Sequence, residues 1–154
     1  MKKQLFVSAM GLALVSALAV TATGRTSPAI HGYASTADRP CFTESWGAMV
    51  NSCTTTRTLF VPVTMDTQCT VGSSWYVVAQ SSSSASNVCC RTIGMENNGG
   101  ITTSEFRCLS QFGSTPQSFP VVGAIASSKR VFFVCNVGPG AKVLGVDWDP
   151  NGSC

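Results

Sequence analysis

Past residue 40 the chain alternates between apolar and polar positions with a period of two. In RTLFVPVTM (57–65), Leu59, Val61, Val63 and Met65 fall on one face, while Phe60, Pro62 and Thr64 fall on the other. That is the pattern of a strand with one buried side. Pro62 has no N–H to give to a ladder, so this strand is expected at a sheet edge or at a bulge. The same period marks WYVVAQ (75–80), NVCCRTIG (87–94), RVFFVCNV (130–137) and KVLGVDWD (142–149). Weaker runs are GAMVNS (47–52), EFRCLSQF (105–112) and FPVVGAIA (119–126). Turn-forming stretches such as SSSSAS, ENNGG and GPGA separate them, and nothing after residue 22 keeps a helical period. Short strands at regular spacing between such turns predict an all-β chain folded as an antiparallel β-sandwich, of jelly-roll or immunoglobulin-like type.

The amino end follows different rules. Met1-Lys2-Lys3 precedes an uncharged apolar run from Leu5 to Val20, and Val20-Thr21-Ala22 suits a cut after Ala22. A basic start, an apolar centre and a small-residue exit make residues 1–22 a predicted secretory signal peptide. The run is shorter than the ~20 apolar residues of a membrane span, so the mature protein is expected outside the cell and free of the membrane. Residues 23–40 carry Gly, Pro, Ser and Thr without a period and are expected to be a flexible N-terminal arm. The sandwich domain is then expected to occupy 41–154.

Removing the signal peptide changes the charge balance. Lys2 and Lys3 go with it, leaving eight basic side chains against seven acidic ones. A strongly basic surface is what nucleic acids and anionic membranes select, and a mature chain near +1 lacks one. No nucleic-acid or membrane partner is expected.

All eight cysteines, Cys41, Cys53, Cys69, Cys89, Cys90, Cys108, Cys135 and Cys154, lie beyond residue 40. An even count in an exported chain reads as a disulfide framework. Cys89 and Cys90 are neighbours in a predicted strand, so their sulfurs leave opposite faces. One is expected to enter the space between the sheets and the other to meet an adjoining strand or loop. The alternation puts Val88 and Thr92 with Cys90, without saying which cysteine points inward. Redox or zinc chemistry would want Cys-x-x-Cys pairs, which are absent. Eight cysteines allow more pairings than a sequence can choose between. The expected local bridges are Cys41–Cys53 and Cys135–Cys154.

Catalytic chemistry finds little to work with. His31, the single histidine, sits in the arm, and no Gly-x-Ser-x-Gly motif accompanies it. The acids Glu44, Asp66, Glu96, Glu105, Asp147 and Asp149 lie in or beside turns. A hydrolase built on two of them, with Glu96 and Glu105 as its test residues, is the enzymatic alternative. Asp147-Trp148-Asp149-Pro150-Asn151-Gly152 resembles the opening of a calcium loop, with Asp147, Asp149 and Asn151 as oxygen donors. The distal bidentate Glu is missing, however, and Asp-Pro-Asn-Gly is by itself a β-turn signature. No cofactor is expected, calcium being the alternative.

Aromatic side chains give a binding alternative. Trp46, Trp75, Tyr76 and Trp148 could offer sugar rings a flat platform, although Trp and Tyr also fill sandwich cores. Alternation groups Leu144, Val146 and Trp148 on one face, which favours burial of Trp148. Trp46, beside Gly47 in a turn, is the candidate ligand-binding residue.

WGAMVNSC, RTLFVPVTMD, WYVVAQ, NVCC and VFFVCNVGPG together resemble a group of short, secreted, cysteine-containing bacterial β-sandwich proteins. The resemblance covers most of the chain beyond Cys41 and implies a β-sandwich with paired cysteines. It brings no catalytic residue. The sequence therefore reads as a secreted, non-enzymatic β-sandwich with an extracellular binding or surface-matrix role, its ligand a carbohydrate or a protein. A lectin-like carbohydrate-binding module, calcium-assisted or not, is the sharper alternative.

Overall fold

A computed structural model describes residues 25–64, 75–96, 98–121 and 130–148. The signal segment, Met65, Asp66, Cys69, Asp149, Asn151 and Cys154 lie outside the described residues. The strands are β1 (Arg25–Pro28), β2 (Tyr33–Ala34), β3 (Phe42–Ser45), β4 (Ala48–Asn51), β5 (Arg57–Thr64) and β6 (Trp75–Gln80). They continue with β7 (Val88–Met95), β8 (Ile101–Thr103), β9 (Arg107–Cys108), β10 (Gln117–Pro120), β11 (Arg130–Val137) and β12 (Lys142–Trp148). No α-helix occurs among the described residues, and no helix there is long and apolar enough to cross a membrane.

Two antiparallel sheets face each other. Sheet 1 has the order β10–β6–β12–β4–β3, with β1 also on β12; sheet 2 has the order β2–β5–β11–β7–β8, with β9 also on β7. Period-two alternation fills the space between them. Trp75, Val77 and Ala79 of β6 meet Leu59, Val61 and Val63 of β5 and Val131, Phe133, Cys135 and Val137 of β11 in one apolar cluster. Trp75 packs on Phe133 with ring centres 5.4 Å apart. Among the described residues the β2 side of β5 is unpaired beyond Phe60, because β2 reaches only Leu59 and Phe60. Pro62 therefore gives up no ladder bond, as the sequence requires.

Three expectations about the strands are corrected. First, residues 25–34, where no strand is expected, carry two: β1 runs along β12 from Arg25↔Trp148 to Pro28↔Gly145, and β2 pairs with β5. Ala29 is fully buried, and Asp38 accepts a 3.1 Å bond from the Arg57 guanidinium. Strands this short and polar carry no readable period, and backbone pairing holds them in place. Second, the strand expected at 105–112 shrinks to Arg107–Cys108. Third, a register shift between Val143 and Gly145 changes the phase of β12, so Val143 joins Val146 and Trp148 in the core. Leu144, grouped with the last two by simple alternation, leaves it.

The adjacent cysteines divide as the pleat demands. Cys90 is buried and bonded to Cys135, directly opposite on β11; Cys89 turns away and is bonded to Cys108 on β9. Cys41–Cys53 forms as expected. The expected Cys135–Cys154 bridge does not, because cross-strand register hands Cys135 to Cys90 with their Cα atoms 4.1 Å apart. Proximity along the chain is a poor guide when a ladder sets the neighbours.

One buried polar side chain fastens the two sheets. Asn51, at the end of β4, is fully buried, and its Nδ2 donates to the carbonyls of Val137 (2.7 Å) and Thr55 (2.8 Å). Its Oδ1 accepts from the Cys53 amide, while its own amide and carbonyl bond Ala141 and Gly140. Next to it, a Cβ on Gly138 would fall 2.4 Å from the Ser86 backbone, so that turn demands glycine.

Replacing Cys90 and Cys135 together with Ala opens a crosslink spanning 45 residues, and replacing Cys41 and Cys53 opens one spanning 12. Loop-closure entropy sets the losses at about 4 and about 3 kcal/mol respectively. Urea denaturation of the two double variants checks the order.

Candidate functional site

Strands β3 and β4 form a hairpin with Ser45 opposite Ala48, leaving Trp46 and Gly47 as its two-residue turn. Both have positive φ, 52° at Trp46 and 78° at Gly47. Two such residues are what a tight hairpin with right-handed strand twist requires. Gly47 adopts this backbone freely. Trp46 does not, because its Cβ crowds the backbone there. The indole is nonetheless wholly outside, at 102% relative exposure, with Glu44 and Ser45 exposed beside it. An apolar side chain is thus held in water on strained backbone at the tip of an edge hairpin.

The other aromatic candidates separate. Trp75 and Trp148 lie opposite one another on β6 and β12 and both face the core. Tyr76 faces the other way, on the outer surface of sheet 1, with 41% exposure. The ladder places it in a row with Asp147 of β12 and Thr26 of β1. Asp147 and Thr26 line a shallow depression of about 230 Å³ with Pro28, Val78 and Leu144. Partial burial pushes the Asp147 carboxyl above the usual carboxylate range.

Asp147 therefore sits inside a strand paired on both sides, while its expected calcium partners Asp149 and Asn151 lie outside the described residues. Among the described residues, no group of three or more His, Cys, Asp or Glu side chains is gathered for a metal. Glu44 is on the edge hairpin of sheet 1, whereas Glu96 precedes and Glu105 follows β8 at the edge of sheet 2. His31 is exposed and ends a short 3-10 turn, Ala29–His31.

A further surface escaped the sequence reading. On the outside of sheet 2, Tyr33 of β2 stacks on Phe60 at 5.3 Å and meets Phe132 edge-on at 6.3 Å. Arg91 lies over the Phe106 ring, 4.7 Å from its centre. Alternation already turns Phe60 and Phe132 away from the core, and that is the signal that could have exposed the patch. Tyr33 needed the three-dimensional pairing of β2.

No protein-family model matches the chain, and no curated protein does. Solved structures match it distantly. The GH26-CBM35 β-(1,4)-mannanase of Podospora anserina superposes with a TM-score of 0.47 at 12% identity, over 85% of this chain and 28% of that one. A structure described for the promiscuous specificity of carbohydrate-binding modules of the β-sandwich superfamily gives 0.43 at 7% identity, over 84% and 56%. TmCBM61 in complex with β-1,4-galactotriose gives 0.36 at 6% identity, over 82% and 83%. The chain thus spans about a quarter and about half of the first two, and no residue role or ligand is carried over from any of them.

Two substitutions probe the site. Asn tolerates positive φ and favours this turn before Gly, so Trp46→Asn should stabilise the fold by about 1 kcal/mol in chemical denaturation. Asp147 binds its proton more tightly in the folded than in the unfolded chain. Its ionisation therefore lowers stability as pH rises from the unfolded value through the folded one. Asp147→Asn removes that loss, so its Tm should exceed the parent's at neutral pH. The gap should narrow as the pH falls through that window, which thermal melts across an acid-to-neutral series will measure.

Proposed function

We propose that this chain is a secreted, non-enzymatic binding module that engages carbohydrate through Trp46. The observation that carries the reading is the conformation of that residue. Backbone strain of order 1–3 kcal/mol persists where the surroundings and a role maintain it, and exposure of the whole indole adds a second cost. The exposure cost ends when a flat, partly apolar ligand covers the ring, and the strained turn holds the ring in place to meet it. A sugar has that character, with C–H faces for stacking and hydroxyls for the neighbouring Glu44 and Ser45. The near-neutral mature charge and the disulfide framework fit a role outside the cell.

A protein or matrix partner is the second reading, and the Tyr33–Phe60–Phe132 patch on the opposite sheet is what favours it. Exposed aromatic clusters of this kind suit protein contacts.

Glycan-array binding followed by titration calorimetry tests the main reading. Trp46→Ala should weaken the best oligosaccharide found on the array at least about tenfold, which is 1.4 kcal/mol, while the fold stays intact by circular dichroism. Binding that is indifferent to Trp46→Ala, or an array without a ligand, would refute it.

A further inference from the structure

At the end of sheet 1 where β4, β12 and β6 lie side by side, Val50, Lys142 and Gln80 stand in register on the outer surface. They form the floor of a groove of about 510 Å³, a size suited to one or two sugar rings. Its walls come from three separate connections, contributing Ser82, Ser114 and Gly140 among others. Those walls are fixed from behind. The Gly113 amide donates to the Ser81 carbonyl at 2.8 Å, and the Gln80 side-chain amide donates to the Gly113 carbonyl at 3.3 Å. The Gly140 amide donates to Asn51 at 2.8 Å. Ser81 is buried, with its hydroxyl committed to the carbonyls of Ser83 and Ser86. The groove is therefore shaped before any ligand arrives.

Its chemistry is lopsided. Lys142 brings a positive charge, and among the described residues no carboxylate lines the groove to neutralise it. The groove is also lined by the exposed Ser82 and Ser114, by Gln80 and by Val50. We propose that this groove binds an anionic sugar residue, the acid group on Lys142 and the ring hydroxyls on the surrounding serines and amide. A neutral sugar would leave the ammonium unanswered. A nucleic acid would want several cations where the described lining of the groove offers Lys142 alone. The proposal rests on the carbohydrate reading above and narrows its ligand class. A carboxylate and a sulfate share the required chemistry.

Titration calorimetry on the full, oxidised chain tests it with trigalacturonate, its neutral methyl ester and a sulfated galactotriose. The parent should bind trigalacturonate or the sulfated sugar at least about tenfold more tightly than the ester, with the preference fading in salt. Lys142→Met should erase the preference without weakening the ester, and Lys142→Arg should keep it. Whichever anion binds more tightly identifies the acid group. Equal affinity for charged and neutral sugars, or a preference that survives Lys142→Met, overturns the groove assignment and leaves the carbohydrate reading standing. If none of the three binds and the glycan array is also empty, the carbohydrate reading itself falls, and the groove assignment with it.

Discussion

The arrangement of the two sheets depends on a single buried asparagine more than on any apolar contact. Hydrophobic packing is tolerant of small slides, because a valine is nearly as well buried a fraction of an ångström away. Hydrogen bonds to a buried amide are not, since an unmet donor there costs about 1–3 kcal/mol. Asn51 directs one N–H of its side chain to Val137 on sheet 2 and the other to Thr55, while its backbone holds the 138–141 turn. Those bonds fix the lateral position of β4 against β11. The crosslink between Cys90 and Cys135 then acts within sheet 2, locking two strands whose inward faces already point at the same core.

What the chain pattern revealed follows from what each interaction needs. Strands such as WYVVAQ and RVFFVCNV were legible because their burial is periodic, and the split fate of Cys89 and Cys90 followed from the pleat alone. Cys135 was misassigned because its partner lies 45 residues away, and separations of that kind are decided by register, which alternation leaves open. The first two strands were missed for a different reason. RTSP and YA have no apolar rhythm, and what recruits them is the unpaired edge of a neighbour. A bulge near Gly145 likewise cannot be read as a period, because it is a break in one. At the candidate site the exposure of Trp46 was foreseeable from Gly47. The Tyr76–Asp147–Thr26 row and the Val50–Lys142–Gln80 row were not, since each joins three strands distant in sequence.

The inner faces of both sheets are committed to packing, so binding capacity resides on what remains. Sheet 1 presents polar rows, a hydroxyl-walled groove and the strained hairpin tip. Sheet 2 presents aromatic rings and an arginine stacked on phenylalanine. The two outer surfaces thus differ in character, one suited to hydrated ligands and the other to dry contact. A scaffold this thoroughly crosslinked can carry both without loosening, because neither surface contributes to the central apolar cluster.

Arg25 and Trp148 are antiparallel neighbours at the start of β1 and the end of β12. The outer ends of the first and last described strands therefore share one corner of the sandwich. Joining residues 25 and 148 by a short tether and cutting a surface turn elsewhere would give a circular permutant of the described strands with every ladder preserved. The same proximity would let the unit from β1 to β12 be grafted into a loop of an unrelated host.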